Sequence, residues 1–365
     1  MTGSADEPPV AVSRAAGSLD AAHLAAAIEA GLSGAGIPSL TAGVQRLMAA
    51  YRSGEVPDAP VMASKADAAA YAAYRMPATA AATALALQQT LLSLPGWAPA
   101  TLLDFGAGTG GAAWAAARVL PSIVAMTLLE QSADAIRLGA AILAESPVEP
   151  LPTAGWRQWR LPDADAAGSA RADRSAADHP TAEHAAADHP AADLAMVAYV
   201  LGELTPAQQT ALVTLAARSA PVVILVEPGT PAGHRRILAA RAELLAAGCL
   251  IAAPCPHQLG CPLDVAGDWC HFAARLPRSS LHRQVKGAEL AHEDEKFSYV
   301  AAVRPETGAP ELPGGRVVRR PQQRKGLVTL DLCARDGGSR RELVSKSKGE
   351  AYRRARKTSW GDRWD

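Results

Sequence analysis

The run Asp104-Phe105-Gly106-Ala107-Gly108-Thr109-Gly110-Gly111 constrains this chain more than any other feature. It follows a short apolar segment, Thr101 to Phe105, and opens an alanine-rich stretch that predicts a helix from Thr109 to Leu120. Glycine adopts backbone angles closed to other residues, so a strand can turn into a helix here and a ligand can approach the main chain closely. A second apolar run, Ile123 to Leu129, ends at Glu130, which lies 24 residues beyond Gly106. An acid at the end of the second strand can accept hydrogen bonds from both hydroxyls of a ribose. The alternation continues with a helix over Ser132–Leu143, a strand near 155–160, strands over Asp193–Val200 and Val222–Val226, and a helix over Pro206–Arg218 between the last two. Strands alternating with helices predict an α/β fold with a parallel, doubly wound sheet.

Dinucleotide sites usually carry G-x-G-x-x-G, the loop that aims a helix N-terminus at a pyrophosphate. Here the glycines are Gly106, Gly108 and Gly110, with Asp104 before them. A carboxylate sits badly beside phosphates and well beside a sulfonium-bearing amino acid. The loop resembles that of class I S-adenosylmethionine (SAM) methyltransferases, which makes Asp104, Gly106, Gly108, Gly110 and Glu130 the candidate cofactor residues. The catalytic side is bare by comparison. After the fourth strand stands Ala198-Tyr199-Val200-Leu201-Gly202-Glu203-Leu204, without the Asn/Asp-Pro-Pro-aromatic tetrad of amino-group methyltransferases of nucleic acid. Glu203 is the weak candidate for a catalytic base. Cys249 reads as a buried, inert thiol on a helix end.

The other four cysteines form a second constellation. Cys255, Cys261 and Cys270 are spaced C-x5-C-x8-C among prolines, and Cys333 stands alone. In a reducing compartment such a set is metal-ligating rather than disulfide-bonded. Structural zinc sites use paired, closer knuckles. The wide spacing suits a larger object approached from several sides, such as an iron–sulfur cubane. His257 and His271 interleave with the cysteines, so a Cys/His zinc site stays open as the alternative.

Flanking segments complete the outline. Residues 1–18 read as a disordered tail, and 19–98 as a helical region with two amphipathic helices between Asp20 and Tyr51. A third helix, over Met62–Leu94, is expected to break at Met76-Pro77 because proline lacks the backbone donor. Residues 99–250 form the SAM-type domain. Within it, 162–192 is a disordered Ala/Asp/His insertion in which Ala-Ala-Asp-His-Pro occurs at 176–180 and 186–190, placing His179, His184 and His189 at five-residue intervals. Residues 251–365 carry the cysteine loop and a basic extension, with strands over Lys296–Val303, Arg316–Arg320 and Gly326–Cys333. The chain is neutral overall, which excludes a globally basic nucleic-acid coat, but residues 311–365 hold 15 Lys/Arg against 7 Asp/Glu. Tyr352, Trp360 and Trp364 interleave with these cations, a composition suited to phosphates and unpaired bases. Met1–Glu7 lacks the basic and apolar parts of a secretory leader, and no apolar run is long enough to span a bilayer. A cytoplasmic protein without membrane contact is therefore expected.

These features together resemble the methyltransferase-like proteins of the mitochondrial small ribosomal subunit and their bacterial relatives, over roughly residues 60–365. The resemblance rests on Tyr71–Thr79, the Asp104–Gly110 loop, Leu201-Gly202-Glu203-Leu204, Val226-Glu227-Pro228-Gly229-Thr230, the cysteine loop with Asp268-Trp269-Cys270-His271-Phe272, Lys296-Phe297-Ser298-Tyr299, and the Ala355-Arg356-Lys357…Trp360-Gly361-Asp362 ending. It implies a class I methyltransferase fold, a [4Fe-4S] cluster on Cys255, Cys261, Cys270 and Cys333, and association with small-subunit ribosomal RNA or a pre-30S particle, monomeric off the ribosome. Active rRNA methylation and iron–sulfur redox sensing are the alternative functions.

Overall fold

The computed structural model describes residues 14–53, 61–162 and 190–365. The repeats carrying His179, His184 and His189, and all of the expected tail before Arg14, lie outside the described residues.

Four helices come first: α1 (Arg14–Gly31), α2 (Ile37–Ser53), α3 (Lys65–Tyr74) and α4 (Met76–Leu91). The break expected at Met76-Pro77 is present. Arg75 alone separates α3 from α4, and Pro77 sits in the first turn of α4, where a missing N–H costs nothing. Ser64 caps α3 by accepting from the Asp67 amide.

The main sheet then builds from β1 (Thr101–Phe105), α5 (Gly111–Val119), β2 (Ala125–Glu130), α6 (Ala133–Ala144), β3 (Gly155–Gln158), β4 (Leu194–Ala198), α7 (Pro206–Ser219), β5 (Val222–Pro228), α8 (Pro231–Ala246), β6 (Leu250–Ala253), the short α9 (Pro262–Val265), β7 (Phe272–Pro277), α10 (Ser280–Lys286) and β8 (His292–Val303). Its order is β3-β2-β1-β4-β5-β8-β6, with β7 paired to β8. Strands β1 to β5 run parallel, and β8 inserts antiparallel between β5 and β6. This is a doubly wound, Rossmann-like sheet. Alternation along each strand divides the core. Leu102, Leu128, Leu194 and Met196 face the layer containing α1 to α6, while Leu103, Phe105, Leu129 and Val197 face α7 and α8. Both faces are buried, which is why β4 and β5 read as unbroken apolar runs.

Residues beyond β8 form a second, antiparallel sheet. Its strands are β9 (Gly315–Val317), β10 (Gln322–Arg324), β11 (Leu327–Ala334), β12 (Ser339–Ser345) and β13 (Arg363–Trp364), with α11 (Glu350–Ala355) packed across it. Short-range alternation signalled β9 and β11. The polar strands β10 and β12 gave no such signal, because their outer faces meet water rather than a core. No helix of the described residues is long and apolar enough to cross a membrane.

The aromatics of this extension do not play the part expected of them. Trp364 is 6% exposed and belongs to the small core of the second sheet, Tyr352 packs against that core, and Trp360 lies edge-on to His271 with ring centroids 4.9 Å apart. Interleaving with cations reflected a two-faced element, aromatic side inward and cationic side outward.

Candidate functional site

Two sites emerge, on opposite sides of β8. The first lies at the carboxyl ends of β1 and β4, where successive crossovers leave in opposite directions and open α/β sheets leave a crevice. A cavity of about 250 Å³ opens there. Gly106 turns the chain out of β1 at φ +70°, and its amide and that of Ala107 donate to the Leu129 carbonyl at 2.8 and 3.0 Å. A Cβ at Gly106 would stand 2.6 Å from Val200 Cγ2, so a side chain is excluded by space as well as by angle. Gly108, at φ +58°, faces Met62 and Tyr71 from the helical region.

Glu130 is more than a ribose acceptor in waiting. Its carboxylate accepts from the Gly108 amide at 2.9 Å and from the Ser132 amide at 2.8 Å, so it fastens the glycine loop to the start of α6. Each carboxylate oxygen keeps a lone pair for a ligand. Burial raises its pKa, against the pull of those amides. Asp104 is 1% exposed, and among the described residues neither carboxylate oxygen has a hydrogen-bond partner. It stands behind the cavity wall, as does Gly110, while Gly106, Gly108, Glu130 and Glu203 line the cavity itself. Burial, reinforced by Glu130, pushes the Asp104 carboxyl up to about 8. Glu203 closes the turn Leu201–Glu203 after β4, and burial with Glu130 and Glu227 nearby pushes it to about 8. That turn is pinned by buried Glu227, which accepts from the Leu201 amide at 3.0 Å and pairs with Arg236 at 2.7 Å.

Tyr199 is the site residue that the sequence did not single out. It is the one non-glycine residue with positive φ, +62°, among the described residues. Such a backbone costs energy for a bulky side chain, and the surroundings must hold it. Its hydroxyl donates to Glu295 at 3.0 Å, and Arg75 chelates the same carboxylate at 3.0 and 3.3 Å while lying 5.0 Å from the Tyr199 ring centroid. Arg75 is thus a largely buried brace joining the α3–α4 break, the end of β4 and β8. Its partner is 220 positions away, beyond the reach of any local pattern.

The second site lies where the two sheets meet. Cys255 and Cys261 sit in the loop after β6, Cys270 just before β7 and Cys333 on β11, yet all four line one cavity. Burial raises the Cys270 thiol well above its ordinary range, reinforced by the three other cysteines, and pushes Cys333 up to about 12. His257 lines this cavity with its Nε2 3.3 Å from Cys333 Sγ, whereas His271 is turned away, stacked on Trp269. Among the described residues no three Cys, His, Asp or Glu side chains converge closely enough to hold a single ion. The buried thiol expected at Cys249 is indeed buried, in the layer beneath α7 and α8.

Two buried guanidinium groups define the chemistry of this cavity. Arg316, 1% exposed, donates to the Pro254 carbonyl at 2.8 Å, to the Gly361 carbonyl at 2.9 Å and to Gln89, but its Nη2 has no partner. Arg241 donates to the carbonyls of His257 and Leu259 at 3.2 and 2.7 Å, and its Nε has no partner. Buried cations with orphaned donors call for an anion. Four neutral thiols do not supply one, whereas four thiolates on a metal centre, zinc or cubane alike, do. The residues present therefore fit a thiolate-bound metal group, and with no three ligands converging among the described residues the wide spacing suits a cubane better than a lone zinc ion.

The family model described as "Mitochondrial small ribosomal subunit Rsm22" matches residues 65–365. The human "Ribosome assembly protein METTL17, mitochondrial" is 28% identical over 312 residues, 80% of this chain and 61% of that protein. The "Rsm22-cox11 tandem protein 2, mitochondrial" of Schizosaccharomyces pombe is 31% identical over 180 residues, 39% of this chain and 24% of that protein. The chain thus spans about six tenths of the human protein and about a quarter of the yeast one. Among solved structures, a putative RNA methyltransferase from Pyrococcus horikoshii is similar at 13% identity and a TM-score of 0.38, covering 72% of this chain and 96% of that one. The mitochondrial family and relatives overturn the cytoplasmic location expected above. That expectation rested on the missing secretory-leader pattern and the lack of a membrane-spanning run, neither of which tells a cytoplasmic from a mitochondrial protein.

Proposed function

We propose, on the premise that this chain belongs to the Rsm22 family of the mitochondrial small ribosomal subunit, that it is a ribosome-associated, methyltransferase-like assembly protein that binds SAM and carries a structural [4Fe-4S] cluster. The family match supports association with the small subunit, and the METTL17 likeness supports the assembly role. One observation carries the rest. Thiols from two stretches of chain, 255–270 and 333, meet on one cavity beside two buried arginines, each with a donor that has no partner among the described residues.

In this reading Cys255, Cys261, Cys270 and Cys333 would hold the cluster, whose net negative charge Arg241 and Arg316 offset. Its contribution is mechanical, because Cys333 belongs to the second sheet and the other ligands to the main one. Metal binding then fixes the basic extension to the methyltransferase-like body, and its free energy becomes folding free energy. The helical region at 19–98 and the cofactor domain at 99–250 form the body, but of the extension expected at 251–365, β7 and β8 pair into the main sheet, so the clipped part is the sheet beyond Val303. At the first site Glu130 and the glycine loop bind the adenosyl ligand, and Tyr199 forms the wall where a methyl acceptor enters. Glu130 is engaged by the loop and the ligand, which leaves Glu203 to take a proton there, and it is held protonated near neutrality, which argues for binding over efficient transfer.

Anaerobically purified protein is expected to contain about four iron and about four sulfide per chain, to be brown, and to contain little zinc. Stoichiometric zinc with colourless protein would overturn the cluster. Gly108→Asp is expected to weaken SAM binding at least tenfold in calorimetry, because it adds a second carboxylate beside Glu130 and a side chain at φ +58°. Unchanged affinity would remove the adenosyl ligand from this cavity.

A further inference from the structure

The cationic end of the second sheet has a geometry that its composition did not disclose. Three segments meet there: the β10–β11 turn with Arg324 and Lys325, the turn Lys346–Lys348, and the C-terminal end of α11 with Arg356 and Lys357. Backbone and side-chain bonds hold them together. The Lys346 amide donates to the Gly326 carbonyl at 2.8 Å, and Gln323 Nε2 donates to the Arg356 carbonyl at 3.0 Å. The register of β11 with β12, which pairs Leu327 with Ser345, brings the two turns to the same end.

These cations differ from their neighbours. Arg340, Arg341 and Arg353 are each paired with a carboxylate, Asp336, Asp331 and Glu350 respectively. Arg324, Lys325, Lys346, Lys348, Arg356 and Lys357 are all exposed, and no ion pair forms at any of them among the described residues. Glu350 offsets part of the Lys357 charge, and the other exposed cations at this end of the sheet repel one another, a cost that a polyanion removes. The aromatics that would complete a single-strand platform are withdrawn. Trp364 is in the core, its ring covered by Arg354 with the guanidinium carbon 4.6 Å from the centroid, while Tyr352 and Trp360 pack inward.

We propose that this end of the sheet docks on the phosphodiester backbone of double-helical RNA, reading phosphate spacing and not unpaired bases. The proposal rests on the ribosomal reading above and specifies the form of RNA. Unpaired RNA is held by stacking its bases on aromatic rings, and an A-form helix by phosphate and 2′-hydroxyl contacts. Cations without exposed rings match the second.

The test uses full-length protein purified anaerobically and two probes, an RNA duplex of about 20 base pairs and one of its strands alone, titrated by fluorescence anisotropy from about 50 to about 300 mM salt. The duplex is expected to bind at least tenfold more tightly than the single strand. Lys346→Glu with Lys348→Glu, and separately Arg356→Glu with Lys357→Glu, are expected to weaken duplex binding at least tenfold and to flatten the salt dependence by about one unit of slope for each phosphate no longer neutralised. Their thermal unfolding should match that of the parent. Equal or tighter binding of the single strand would overturn the proposal and leave RNA association standing. Binding of neither probe would sink both. Displacement of the duplex by polyglutamate at equal charge would overturn it in favour of an acidic protein surface.

Discussion

Replacing Arg316 by methionine is expected to lower the stability of this protein by about 3–5 kcal/mol, among the largest effects of any single substitution. Three separate segments depend on this one guanidinium: Pro254 in the cysteine loop, Gly361 near the C-terminus and Gln89 on α4. Methionine fills much of the volume but donates nothing, so buried acceptors lose their partner and each pays its own desolvation cost. The main sheet would keep its packing while the second sheet loses its dock, so the loss should appear as early release of the extension. Urea unfolding followed together with limited proteolysis after residue 304 measures both. Arg316→Lys should lie between parent and methionine, because it keeps the charge but not the fork of donors. A shift below about 1 kcal/mol for the methionine variant would mean that the sheets are held by apolar contact alone.

Asp104→Asn is expected to stabilise the protein, increasingly so as pH rises. The Asp104 carboxyl is pushed up to about 8 in the folded protein by burial and by Glu130, while in the unfolded chain it titrates near 3.8. Between those values the folded state holds a proton that the unfolded state has released. Stability contributed by the protonated acid is therefore complete below about pH 4 and drains away as pH climbs to about 8. Asparagine has the shape of the protonated acid and no proton to lose. The stability difference, variant minus parent, should thus grow at up to about 1.4 kcal/mol per pH unit across that window and level off above it. Chemical denaturation at pH 5, 6, 7, 8 and 9 reads it directly (roughly even steps across the window of one titrating proton). A difference that is flat with pH, or that falls, would place a counter-charge beside Asp104 that the fold does not otherwise reveal.

Much of the first site was legible beforehand because its signals are local. The glycines, the strand before them, the helix after them and the acid at Glu130 lie within 30 consecutive positions, 101 to 130. Each reflects a constraint on its own backbone or on its immediate neighbours. What stayed hidden is the long-range part. Glu295 has no local reason to mark a functional site, and only the antiparallel seating of β8 beside β5 carries it to Tyr199 and Arg75. Asp104, placed by its motif beside a ligand, lies behind the wall, because strand alternation turns it to the same face as Leu102.

From residue order alone came the doubly wound class, the break before Pro77, the glycine turn and the grouping of cysteines, since each depends on chemistry between near neighbours. Only the tertiary structure decided which way the terminal aromatics face, which histidine meets the thiols, and which arginines bring an unused donor beside them. Burial and orientation arise from contacts between segments far apart in the chain, and a side chain's charge or ring does not say which face it will present until those segments have packed.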